Sequence, residues 1–515
     1  MVLKIAFPLL AFLVSMFVLY PVSAHGVGER YDIPMPLSLF IAGGAITVVL
    51  SFVMVGLTTR ANMEQRNYPK LNLFGCKAIA TICTGPITIL LKVMAVAIFL
   101  IVLATACLGT TRSVENFAPT FIWVIWWVGM GFLVALMGNI WALTNPWSIL
   151  FTWAERLFGH LGNGGRLSLG RSYPSRWGTW PAFMGFLVFA WIETAFMESS
   201  NPLFLAWLIL FYSLYTFAGM FIFGKHVWLR NGEIFSVIFD FLSRFSILEI
   251  GVKNSEYCSI CSSSNCRTDL VECLDCYECF QYSDQKLLNL RPPVVGLNNV
   301  GIVTPSIIAL IMLLLASVTF DGFSATPEWV SVQSYVITMV PYLTSPLING
   351  ITISNTGGLL TFLAVFVLVY RLFCYFVVRI VSDETHTAGY VMSIFVFTLV
   401  PIALAYNYAH FLALLLIQGQ QIIALVSDPF GLNWDLFGTA DYLINVKVIS
   451  ARFLWFFSLV VIVLGHIAAV FLSHIRALYL YQNPSKALRS QIPMLVLMVL
   501  YTVISLWIVS RPITE

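Results

Sequence analysis

The apolar residues of this chain come in long, nearly charge-free runs rather than in short alternating ones. Ten runs of about 20 residues recur, each long enough to cross ~30 Å of hydrocarbon as a helix. They cover 37–58, 86–108, 119–142, 179–198, 203–224, 301–320, 359–381, 390–416, 450–474 and 492–510. A helix closes its backbone hydrogen bonds within itself, which is what lipid demands of a spanning segment. The pattern therefore predicts an all-α membrane protein with about ten transmembrane helices. The stretch 331–346 is also apolar, but Pro341 and Pro346 interrupt it, and it reads as a re-entrant or interfacial piece.

The first residues read differently. Lys4 supplies a positive start, Ile5 to Tyr20 an apolar core, and Val22-Ser23-Ala24 a small-residue cleavage site. Residues 1–24 are expected to be a cleavable signal peptide, leaving His25 at the mature N-terminus. An amine and an imidazole together there would suit copper. Three parts follow: a five-helix half over 25–224, a polar insert over 225–300, and a second five-helix half over 301–515. Within the insert, Phe235, Ile238, Phe239, Leu242 and Phe245 fall at helical spacing. The segment 233–250 is expected to lie along the membrane surface.

Composition agrees with this reading: 59% of residues are hydrophobic and 10% charged, far from a soluble domain. The net charge of +3 marks no nucleic-acid partner. Its distribution sets the orientation. Arg60, Arg66, Lys70, Lys77, Arg156, Arg166, Arg171 and Arg176 fall in alternate loops, joined by seven basic residues of 225–300 and by Arg476, Lys486 and Arg489. The opposite loops hold only Arg30, Arg112, Lys447 and Arg511. The positive-inside rule then puts 225–300 in the cytoplasm of a bacterial inner membrane and 321–358 and 418–450 outside.

Six of the ten cysteines lie between Cys258 and Cys279, spaced C-x2-C-x4-C-x6-C-x2-C-x2-C. Two C-x2-C pairs in one polar loop suit tetrahedral thiolate ligation, and the reducing cytoplasm disfavours disulfides. A structural zinc site is favoured, with Cys258, Cys261, Cys273 and Cys276 as the ligand set. An iron–sulfur cluster or a disulfide knot are the other readings. Charges inside spans also need an account. Lys92 and Arg379 sit near span ends and can snorkel; Arg371 sits mid-span and is expected to face the bundle. Glu193, Asp321, Tyr406, Asn407 and His410 gather near the outer ends of their spans, as a polar pocket or as helix caps. His466 and His474, two helical turns apart, are expected to hydrogen-bond neighbouring helices, with haem ligation the alternative.

The chain resembles a family of bacterial polytopic membrane proteins carrying the label fenitrothion hydrolase. The likeness runs through Phe320-Asp321-Gly322-Phe323-Ser324 and Val400 to Tyr406 with His410. It continues through Gln418-Gly419-Gln420, Ser427-Asp428-Pro429, Asp435 to Ala440, Gly465-His466 and Arg489-Ser490-Gln491. At the front, Ala24-His25-Gly26 with Pro34 and Pro36 looks like the same family's start. The cysteine insert departs from it. The resemblance implies hydrolysis of a hydrophobic phosphotriester at the outer face, with release of a nitrophenol. Asp321, His410, Asp428 and Asp435 are the residues to carry it, under a lid built from 418–450 and with a divalent metal. No H-x-H or H-x-x-x-H pair furnishes a two-metal centre. The competing class is a transporter or a membrane subunit of a larger complex, with the same polar groups lining a pathway.

Overall fold

The computed structural model describes residues 37–58, 68–161, 167–253, 261, 273–298, 303–343, 345, 348–382 and 385–511. The signal peptide, His25, Cys258 and Cys266 lie outside the described residues.

In chain order the helices are α1 (Leu37–Thr58), α2 (Lys77–Leu108), α3 (Phe117–Met137), α4 (Ile140–Thr144), α5 (Pro146–Leu161), α6 (Trp180–Ala195), α7 (Pro202–Phe223), α8 (Lys225–Asn231), α9 (Ile234–Ser243), α10 (Tyr277–Tyr282), α11 (Pro305–Ser324), α12 (Pro327–Met339), α13 (Gly350–Val381), α14 (Ala388–Ser427), α15 (Ala451–Tyr481) and α16 (Pro484–Ser510). Nine of them, among the described residues, are long and apolar enough to cross a membrane: α1, α2, α3, α7, α11, α13, α14, α15 and α16. The protein is an all-α, multi-pass membrane architecture. The tenth expected span is α6, whose 16 residues reach about 24 Å.

Local chemistry sets the ends. Asn201 accepts hydrogen bonds from the backbone N–H groups of Leu203 and Phe204, with Pro202 at the first helical position of α7. Asn349, Ser450 and Asn483 cap α13, α15 and α16 in the same way. Ser382 and Gln482, with φ of 52° and 50°, turn left-handed and stop α13 and α15. The middle of α3, Phe121–Val128, is wound as a π-helix. That wider winding is uncommon and recurs at functional sites.

Two expectations change. The segment 233–250 does not lie on a surface: α9 is buried in the bundle. Trp126 meets Phe235 edge-on at 4.5 Å, and Phe241 meets Phe397 at 5.3 Å. Val237 and Phe241 lie off the Phe235–Ile238–Leu242 stripe, so the helix is apolar nearly all round, and such helices belong in a core. Helix gives way to strand at Leu248. Arg371 does not face the bundle but lies exposed on its outer surface. At 32 residues α13 is about 48 Å long, more than hydrocarbon alone requires, and its first turns carry the polar Thr352, Ser354, Asn355 and Thr356. Over 331–339 the chain belongs to α12, which starts at Pro327 and stops at Met339, too short at 13 residues to cross, in keeping with the non-spanning piece expected there.

The insert carries a four-stranded antiparallel sheet in the order β1-β4-β2-β3, from Leu71–Asn72 (β1), Leu248–Val252 (β2), Cys273–Leu274 (β3) and Lys286–Leu290 (β4). β2 and β4 pair from Leu248↔Leu290 to Val252↔Lys286. Arg291 follows β4 and is fully buried, with Nη1 2.8 Å from both Glu249 Oε2 and Asp275 Oδ2. Burial works against its charge, but Asp275 and Glu249 outweigh that and hold the guanidinium above its ordinary value. The Tyr68 hydroxyl also donates to Glu249. Truncating Arg291 would leave two carboxylates buried without their cation. Arg291→Ala should therefore destabilise the sheet by about 3–5 kcal/mol. A lower thermal midpoint and faster chymotryptic cleavage within 225–300 are expected; an unchanged midpoint would mean that the network contributes nothing.

Candidate functional site

Two polar constellations stand out of this apolar framework, one at each end of the bundle. The first lies where α3, α6, α9, α11 and α14 meet. The π-wound turn of α3 directs Trp127 at α6, and its indole Nε1 donates to Glu193 Oε1 at 2.7 Å. Asp321, in the last turn of α11, faces His410 of α14, with Nε2 2.8 Å from Oδ2. The His410 ring lies 6.0 Å from Tyr406 in a stacked arrangement, and Phe411 closes on it edge-first at 4.6 Å. Glu193, Asp321 and Asn407 line one cavity with Trp127, Phe239 and Phe411, and it holds about 40 Å³ of room for water. That suits a few water molecules.

Asp321 and His410 remain about a quarter exposed, at 26% and 25% of their side-chain surfaces. Two carboxylates face the cavity, and the His410 imidazole bonds to one of them. At most one positive charge comes from His410, so a low-dielectric site with both acids ionised holds net negative charge. Such a site binds a proton or a cation readily.

Of the residues expected to act together, Asp321 and His410 are brought into contact. Asp428 and Asp435 are elsewhere. The Asp428 carboxylate accepts from the backbone N–H groups of Leu432 and Asn433 at 2.9 and 2.7 Å. Asp435 accepts from Ala440 N at 3.0 Å. Both carboxylates organise the turns of 428–440. Trp127 is part of the site that the sequence does not single out, and Phe239 stands out there only as one of the apolar stripe of 233–250. In a chain with 15 tryptophans and 41 phenylalanines nothing else marks these two.

The second constellation is the cysteine centre, held between β2, β3, α8 and α10. The Sγ atoms of Cys261, Cys276 and Cys279 all lie within 4.8 Å of one another. Cys276 precedes α10 and Cys279 sits in its first turn, so the C-x2-C spacing presents both thiols from one tight turn. Cys261 and Cys276 are 3.7 Å apart. Two thiolates on one zinc at ~2.3 Å would stand about 3.8 Å apart in tetrahedral geometry. Cys273, on β3, is buried in the same apolar cluster as Cys261 and Cys279 but outside the triad. The triad is thus formed by Cys261 and Cys276 of the expected set together with Cys279.

Its surroundings are charged. Arg230 of α8 places Nη2 2.8 Å from Glu278 Oε2 and 3.9 Å from Cys261 Sγ. Burial first, and the Lys225 ammonium second, push the His226 imidazole down to about 4. His226 is therefore neutral at physiological pH, with Nε2 3.2 Å from the Tyr282 hydroxyl. Asp275, in a left-handed conformation with φ of 53°, links this centre to Arg291. Its backbone N–H donates to Ile250 O of β2 at 2.9 Å.

Removing the indole donor isolates the role of Trp127. Trp127→Phe leaves Glu193 buried without that bond and should lower stability by about 1–3 kcal/mol. The loss should shrink when Glu193→Gln is already present, a coupling that thermal melts of the four proteins in detergent would measure; additive losses would mean that the bond is energetically silent.

Compared with known protein families, with curated proteins and with solved structures, the chain matches none.

Proposed function

We propose that this multi-pass membrane protein moves protons through the Glu193–Asp321–His410 pocket, as a transporter or as the membrane subunit of a larger complex. The observation that carries the reading is the polar cavity itself, where Glu193 and Asp321 line about 40 Å³ of water-sized space and Asp321 is held in turn by the His410 imidazole at 2.8 Å. Chains of Asp, Glu and His inside a membrane are costly and characteristically serve proton transfer. In the orientation that loop charge favours, the pocket faces the outside of a bacterial inner membrane and the cysteine centre faces the cytoplasm.

The cysteine centre fits a structural zinc ion, which would fasten the loop before β3 to α10. Purified protein should then contain about one zinc per chain, and Cys276→Ser should lose it together with thermal stability. Elemental analysis that found neither zinc nor iron would remove the metal reading.

The resemblance to the fenitrothion hydrolase family supports a second reading, phosphotriester hydrolysis. The partly exposed His410–Asp321 pair favours it, since a carboxylate-oriented imidazole can act as a general base. It ranks second for two reasons. The cavity is far smaller than the roughly 300 Å³ that a drug-sized ligand requires. Asp428 and Asp435 are also occupied by backbone N–H groups.

Proteoliposomes enclosing a pH-sensitive dye would separate the two readings. Under an imposed potassium potential the wild type should conduct protons well above empty vesicles. Glu193→Gln and Asp321→Asn should fall by about tenfold or more while the protein stays folded. Wild-type flux equal to that of empty vesicles would end the proton reading. Release of nitrophenol from a nitrophenyl phosphotriester, lost in His410→Ala, would put the hydrolase in its place.

A further inference from the structure

A second set of buried polar groups begins directly behind the pocket. Tyr406 of α14 is 1% exposed, and its hydroxyl has no hydrogen-bond partner. It packs against Gly322, where even a methyl group would overlap it, one residue from Asp321. It interacts electrostatically with both Asp321 and Tyr501. Tyr501 of α16 shares a 2.5 Å hydroxyl–hydroxyl bond with Thr319 of α11. Its ring centroid is 5.9 Å from that of His466 on α15.

His466 is the informative member. It is 1% exposed, and its Nδ1 lies 2.8 Å from the Ile462 carbonyl oxygen. A carbonyl only accepts, so Nδ1 carries the hydrogen and Nε2 of the neutral ring is a bare acceptor. That Nε2 is buried and has no partner. Two turns on, His474 is 3% exposed; its Nδ1 meets the Gln491 amide, and its Nε2 is likewise buried without a partner. Ser473 Oγ, beside it, is a third such atom on α15. Arg476 then donates to the carbonyls of Leu297 and Asn298 at the cysteine-bearing end.

An orphaned buried polar atom, donor or acceptor, costs about 1–3 kcal/mol, and native proteins rarely leave one dry. Here Tyr406 Oη, His466 Nε2, Ser473 Oγ and His474 Nε2 are four such atoms on α14 and α15, helices that pack on each other, with α11 against α14 and α16 against α15. A merely structural histidine pair would satisfy its nitrogens on neighbouring helices, as His474 does through Nδ1 alone.

We propose that these atoms form the inner half of a proton path: water bridges Asp321 through Tyr406 and Tyr501 to His466 and on to His474. His466 and His474 are about 12 Å apart along α15, too far for one transfer, so several waters must connect them. The step balances simply. His466 Nε2 takes the excess proton from a hydronium on the pocket side, leaving neutral water, holds it as imidazolium with Nδ1–H still on the Ile462 carbonyl, and releases it from Nε2 to the next water, which becomes hydronium and passes it on. Nothing is oxidised or reduced. The path rests on the pocket reading, because it carries onward what the pocket binds.

The test uses the full chain in proteoliposomes, with a second readout in detergent. His466→Leu and Tyr406→Phe should lower proton flux by about tenfold or more. In the same proteins the protonated-carboxyl infrared band, lost in Glu193→Gln and Asp321→Asn, should still titrate. Flux unchanged in both variants would overturn the path and leave the pocket intact. Loss of the titrating band in wild type would instead overturn the pocket, and the path with it. As a measure free of flux, 15N-histidine NMR should show water in contact with His466 Nε2; a dry Nε2 would overturn the path on its own.

Discussion

Hydrocarbon offers a polar group nothing to bond with, so inside this bundle each polar side chain must find a protein partner or water. That constraint explains the architecture before any function is considered. Asparagine and serine cap the helices. Tyr370 gives its hydroxyl to the Met392 carbonyl, and Asn355 links Trp329, Gln333 and the Thr194 carbonyl. Against that background of satisfied groups, the places where carboxylates crowd a cavity or nitrogens lack partners become conspicuous.

The two ends of the molecule meet the same constraint by different means. At the cysteine-bearing end, an ion network is sealed inside a small sheet, with Arg291 between two acids and thiols grouped beside Arg230. At the other end, the acids of the pocket have far less to hold them: one indole, one imidazole and room for water. The first arrangement rigidifies. The second leaves protonation free to change, which is why the functional reading rests there.

Much of this was legible in the chain, and the exceptions have physical reasons. Apolar run length located the long helices, since lipid enforces it. The grouping of Glu193, Asp321, Asn407 and His410 followed from their depth along predicted spans. The burial of α9 was not legible from its stripe, because helical spacing of apolar residues is the same whether lipid or protein covers them; the off-stripe Val237 and Phe241 carried the distinction. The side on which Arg371 emerges depends on how α13 rotates against its neighbours, which its own sequence does not specify. Among the cysteines, spacing identified the paired thiols but not which ones converge. β3 keeps Cys273 outside the triad, while the first turn of α10 brings Cys279 in, and both depend on a sheet assembled from distant segments.

That sheet has a consequence for biosynthesis. Among the described residues β1 follows α1, and its ladder is with β4, joining Leu71 to Leu290. The two are about 220 residues apart, so at ~5–20 residues per second β1 waits on the order of 10–40 s for its partner to be made. During that interval α1, α2, α3, α6 and α7 must settle without the strand that will tie the α1–α2 connection to the insert. Closing the sheet therefore waits until the first half of the bundle and the insert have been made, and it joins two segments that leave the ribosome far apart in time.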